Sequence, residues 1–207
     1  MQPAQWQQVP GTQAVQVYPY LRKPDVFSSN SYVLRFSQQL VVIDPGGKPE
    51  QTQALVSMAR EITQAEPLPV GIFLTHCHVD HALETLRSDL WRSFSSLRVA
   101  IQENGAQALR AGDRRLTQAE ILGCDLSARE TDIALFKSSS RETATASLVP
   151  GATERISLGA NDALEAYYTP GHSPDGVCFR VGEMLFVGDL LAAVSPLIAG
   201  APGWDHE

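Results

Sequence analysis

Three of the five histidines fall within six residues, in Thr75-His76-Cys77-His78-Val79-Asp80-His81. Imidazole nitrogens beside a carboxylate are ligands for zinc, and they also suit iron or manganese. Alternate side chains of an extended segment share a face, so His76 and His78 can reach one cation. Asp80 and His81 then enter a helical turn and can aim at a neighbouring position. The plain alternative is a cluster of surface histidines at a helix start. With only His172 and His206 elsewhere, the concentration favours a metal centre.

Two more positions carry the same chemistry. His172 lies in Tyr168-Thr169-Pro170-Gly171-His172-Ser173-Pro174-Asp175, a Pro-Gly-rich turn after a strand, from which a side chain can project into a cleft. Alone it would read as an ordinary surface histidine. Asp189 closes Leu185-Phe186-Val187-Gly188-Asp189. A carboxylate directly after an apolar strand is costly unless paired or bound to a cation, although it could equally cap a helix begun by Leu190. Cys77 alternates away from its neighbouring histidines and reads as a packing residue. Arg110, Arg114 and Arg115 read as a solvated helix face, and Trp91 and Phe94 as core.

The elements that would position these residues alternate strand and helix signals. Val15 and Val17 make one face of a strand over Ala14–Leu21, with Tyr18 and Tyr20 on the other; Pro19 demotes it to an edge or an early end. Ser31–Phe36 and Leu40–Ile43 suggest a hairpin, stopped by the turn chemistry of Asp44-Pro45-Gly46-Gly47. Leu55, Met58, Ala59 and Ile62 define the apolar face of a helix over Glu50–Gln64. Val70–Leu74 is a continuous apolar run, as in a strand buried on both faces. The histidine cluster follows it directly, where open α/β sheets place their ligand sites. Leu97–Ile101 reads as a strand, Glu103–Arg110 and Thr117–Leu122 as short helices, and Lys137–Ser147 as an exposed loop. The last third returns to strands at Glu154–Leu158, Ala163–Tyr168, Val177–Val181 and Met184–Val187.

The 207 residues suit a single domain over 1–207. Their 43% hydrophobic content is enough for a real core. A net charge of −7 without a basic stripe argues against nucleic acid as a partner. No apolar run is long enough to span a bilayer. Three widely spaced cysteines imply no disulfide framework, and the N-terminus has no secretory pattern, so a cytoplasmic location is expected.

Taken together, THCHVDH at 75–81, TPGHSPDG at 169–176 and LFVGD at 185–189 closely resemble the metallo-β-lactamase superfamily. SNSYVL at 29–34 and VVIDPGG at 41–47 look like the strands and loop that precede the metal motif in its hydroxyacylglutathione-hydrolase-like branch. The resemblance implies an α/β fold, a four-layer αββα sandwich, with a dinuclear site on one edge. It implies that His76, His78 and His172 hold a first metal, that Asp80 and His81 hold a second, and that Asp189 bridges them. Members with two metals usually supply one further histidine beyond the bridging aspartate, and here only His206 follows. The expectation is therefore that the final strand and helices are missing. Leu190–Trp204 would then be apolar surface covered by a missing C-terminal segment or by another subunit of a homo-oligomer.

The function so implied is a metallo-hydrolase carrying one or two Zn2+ ions, with iron or manganese as alternatives. It would use a metal-bound hydroxide on a small-molecule ester, thioester or lactone, with Asp80 orienting the nucleophile or taking its proton. Two other readings stay open. One is a mononuclear iron oxygenase acting on a thiol or persulfide, with His76, His172 and Asp189 as the facial set. The other is a non-catalytic metal-binding scaffold.

Overall fold

The computed structural model describes residues 1–22, 27, 29–126, 132–137, 150–159 and 162–191. The sequence's alternation of strand and helix patterns resolves into two sheets. The larger contains β1 (Gln7–Gln8), β2 (Gln16–Tyr20), β3 (Ser31–Arg35), β4 (Leu40–Ile43), β5 (Val70–Phe73), β6 (Leu97–Gln102) and β7 (Ile133–Leu135), in that spatial order. Strands β1 to β4 pair antiparallel, and β4 to β7 pair parallel. The helices α1 (Pro49–Ala65), α2 (Val79–Arg87) and α3 (Glu103–Ala111) supply the three parallel crossovers, as parallel strands require. The smaller sheet is antiparallel, with β8 (Thr153–Ser157), β9 (Ala163–Tyr168), β10 (Val177–Val181) and β11 (Met184–Phe186) in the order β11-β10-β9-β8.

Burial follows the periodicities. In α1, Leu55, Val56 and Ala59 are buried, with Met58 and Ile62 packed beside them. All four residues of β5 are buried, because helices cover one of its faces and the second sheet the other. Ile72 and Leu74 join Leu55, Val79 and Trp91 in the core between helices and sheet. Phe73 turns the opposite way and meets Phe179 edge-on at 5.7 Å in the core between the sheets. This accounts for three layers, one of helices and two of sheet. The expected fourth layer, of helices outside the smaller sheet, is not among the described residues.

Pro19 lies inside β2 and not at the sheet's edge, because the short β1 pairs beyond it. That outer pairing involves only Gln16 and Val17, so the missing Pro19 N–H costs no ladder bond there. Trp91 is fully buried, as expected of a core residue. Lys137 is described, but the rest of the expected loop at 138–147 lies outside the described residues, as do 192–204 of the apolar stretch and His206. Within that stretch Leu190 and Leu191 are exposed. No helix among the described residues is long and apolar enough to cross a membrane.

Candidate metal centre

The site forms where β4 and β5 end and the smaller sheet docks. After β5 the chain bends at Thr75 and reaches α2 through His78, which sits at the helix N-cap with extended backbone (φ −62°, ψ 149°). The Val177 N–H donates to the Thr75 carbonyl at 2.8 Å. This bond ties the start of β10, and the turn before it, to the histidine segment. The rings of His76 and His78 lie 4.4 Å apart, both buried. His172 approaches them from the turn between β9 and β10, its ring 5.2 Å from His76 and 4.8 Å from His78.

Ligand atoms of His76, His78 and His172 all fall within 4.8 Å of one another, and so do those of His76, His81 and Asp189. His81 Nε2 stands 3.3 Å from Asp189 Oδ1, and His172 Nε2 3.5 Å from Asp189 Oδ2. Asp189 thus touches both groups of imidazoles, and it caps no helix among the described residues. Asp80 sits at the margin: its Oδ2 is 3.6 Å from His81 Nε2, and it completes no three-ligand group among the described residues. Cys77 is fully buried on the other side of the segment and joins no such group.

These residues suit a divalent cation. His76 Nε2 is buried and has no hydrogen-bond partner among the described residues, an arrangement that costs free energy unless something electropositive is bound there. Burial pushes the His76 imidazole well below its usual range, aided by His81, His78 and His172. His78 is lowered to about 3, chiefly by burial and then by His172 and His81. His172 is lowered by burial as well. Imidazoles kept neutral are competent to bind metal. His81 behaves differently: burial disfavours its charge, yet Asp44, Asp80 and Asp189 outweigh that and hold its pKa well above the ordinary value. Burial raises Asp80, while the neighbouring histidines keep Asp189 below its usual range despite its own burial.

Asp44 belongs to this site, although the sequence reading treats it only as a turn residue. It follows four buried strand residues and is itself buried. Its Oδ2 lies 3.0 Å from His81 Nδ1 and accepts from the Thr75 hydroxyl at 2.7 Å, while Oδ1 accepts from the Thr75 N–H at 2.8 Å. It holds a left-handed backbone (φ +48°), which Asp tolerates better than most residues. The signal was present: a carboxylate after an apolar strand, the pattern that singled out Asp189.

A small cleft beside the cluster is lined by His76, His172, Val187, Asp189 and Leu190. A larger cavity, about 550 Å³, lies elsewhere, along Gly11, Arg155, Glu165, Arg180 and Glu183. There Glu165 already pairs with both arginines, at 3.3 and 3.5 Å. It reads as a solvated groove of satisfied charges.

Residues 24–86 match the family model of the metallo-beta-lactamase superfamily. A relative described as the probable metallo-hydrolase YqgX of Bacillus subtilis is 28% identical over 168 residues, covering 79% of this chain and 66% of its own length. Among solved structures, TTHA1623 in a di-iron-bound form is similar with a TM-score of 0.53 and 24% identity, covering 83% of this chain and 72% of that one. A metallo-beta-lactamase with an HARLDQ motif from Cronobacter sakazakii gives a TM-score of 0.50 at 20% identity, covering 81% and 56%. The chain thus spans just under two thirds of the curated relative's length and about half of the Cronobacter enzyme's. Residues 24–86 are thus similar to that family's model, and the structural likenesses support a mixed-sheet sandwich fold.

Proposed function

We propose that the chain is a metal-dependent hydrolase of the hydroxyacylglutathione-hydrolase-like branch, acting on a small ester, thioester or lactone. The observation that carries this reading is the convergence of His76, His78, His172, His81 and Asp189 from three separate segments, with His76 Nε2 buried and unpaired. The relative's description as a probable metallo-hydrolase points the same way. In this reading His76, His78 and His172 hold one Zn2+. His81 and Asp80 would serve a second ion, with Asp189 within reach of both groups of imidazoles. A cation bound there lowers the pKa of a coordinated water towards ~7 and polarises a carbonyl oxygen. Asp80, raised by burial, orients the attacking water or takes its proton. Asp44 Oδ2 lies 3.0 Å from His81 Nδ1, and Nε2 faces the cluster. The three cysteines are free thiols, which suits a cytoplasmic setting.

The test is hydrolysis of a panel of thioesters, lactones and esters by the metal-loaded chain. Turnover that stops with a chelator, returns with Zn2+ and is lost in His76→Ala supports the reading. No turnover by a fully loaded chain would contradict it. The oxygenase reading takes His76, His172 and Asp189 as its set; among the described residues Asp189 instead groups with His76 and His81, also two histidines and a carboxylate, a type of set that serves non-haem iron. Oxygen uptake by an iron-loaded chain presented with a persulfide would favour that reading instead.

A further inference from the structure

His172 and His78 are 94 residues apart in the chain, yet their ring nitrogens lie 3.0 Å apart. Asp175 belongs to the turn that carries His172. It is fully buried, as are Ser173 and Cys77 around it. The Ser173 hydroxyl donates to Asp175 Oδ1, while the Cys77 thiol donates to the Leu116 carbonyl at 3.8 Å and its pKa is pushed up by burial and then by the neighbouring Asp175 carboxylate. Asp175 Oδ2 has no hydrogen-bond partner of its own among the described residues. It lies against Gly105 of α3, where any side chain would overlap it. The turn is braced from outside as well: the Tyr168 hydroxyl donates to the Pro174 carbonyl at 2.8 Å, and Asn104 Nδ2 donates to it at 3.4 Å. A buried carboxyl with one unsatisfied oxygen is costly, and an apolar side chain of the same size would fill the space at lower cost.

Building on the metal-centre reading, we propose that Asp175 is a positioning residue for that centre. Through Ser173 it holds the turn that carries His172, and that turn is itself tied to the histidine segment by the Val177 N–H bond to the Thr75 carbonyl. The spacing of the three imidazoles is thereby set before a cation binds. Groups that support metal ligands in this way typically change affinity by about 10- to 100-fold when removed.

The experiment is Co2+ binding to the full chain, by chelator competition and by the visible ligand-field spectrum, with wild type, Asp175→Ala and Asp175→Asn. Asn keeps the volume and an acceptor for Ser173. Asp175→Ala is expected to bind about 10- to 100-fold more weakly with shifted bands, and Asp175→Asn to keep most of the affinity and the wild-type bands. Wild-type affinity and spectrum in Asp175→Ala, or an Asn variant no better than Ala, would overturn the proposal. If Asp175→Ala does not fold, Gly105→Ala presses a methyl group onto Oδ2 while leaving every polar partner in place. Weakened binding with a cooperative unfolding transition supports the proposal; unchanged binding in that folded variant overturns it. A wild-type chain that binds no Co2+ is a separate result, which removes the metal-centre reading itself.

Discussion

Asp44 and His81 show how single side chains set the charge of the cluster. His81 has Asp44 3.0 Å from one nitrogen and faces Asp80 and Asp189 with the other. Removing the carboxylate in Asp44→Ala frees the ring to turn and leaves the Thr75 hydroxyl without its acceptor. We expect Zn2+ affinity, measured by competition, to fall about 10- to 100-fold. The imidazoles also predict a pH profile for the metal-free chain. His76, His78 and His172 have lowered values in the fold, His78 to about 3. Below the ordinary imidazole value of about 6.5 the unfolded chain therefore takes up protons that the fold refuses, and stability falls on acidification. His81 has the opposite sign, because its raised value contributes stability that fades as pH climbs above about 6.5. Denaturant unfolding of the metal-free chain should thus show greatest stability near neutrality, with lower midpoints at pH 5 and at pH 9. A midpoint that rises steadily from pH 7 down to pH 5 would contradict these signs.

Elements place these side chains, and two of them are open to direct tests. β5 delivers the histidine segment, and Ile72 at its centre is fully buried. Ile72→Ala should cost about 2–5 kcal/mol in denaturant unfolding, since the cavity lies between helices and sheet where neighbours cannot easily close it. Gly188 sets the turn that presents Asp189. Its φ of +53° suits glycine, and a Cβ there would come within 2.5 Å of Thr75 Oγ1. Gly188→Ala should destabilise the fold by about 1–3 kcal/mol. It should also weaken metal binding, by moving Asp189 away from His81 and His172. Most of these elements were legible in the sequence, because β3, β4, β5 and α1 carry long enough apolar patterns to declare their period. β1 and β7 were not, being two and three residues long. No periodicity can show in so few positions, and only pairing with a neighbour makes them strands.

For the whole molecule, the candidate site joins what the chain keeps far apart. The histidine motif could be read from spacing alone, and the motifs at 169–176 and 185–189 gained meaning only in combination with it. Asp44 and Asp175 escaped notice because their role depends on burial and on contacts across 31 and 98 positions of sequence, from Thr75 to Asp44 and from Cys77 to Asp175. Anything that binds the fold and not the unfolded chain raises stability by mass action, about 2.7 kcal/mol at a hundredfold excess over Kd. Saturating Zn2+ should therefore raise the thermal midpoint of the metal-free chain, and His76→Ala should abolish the rise. The most direct test of the central claim is the metal-to-protein ratio by elemental analysis, for wild type, His76→Ala and His172→Ala after equilibration with Zn2+. The account predicts one or two ions per wild-type chain and a marked loss in both variants. A wild-type chain that takes up no metal, or variants that retain the full complement, would contradict it.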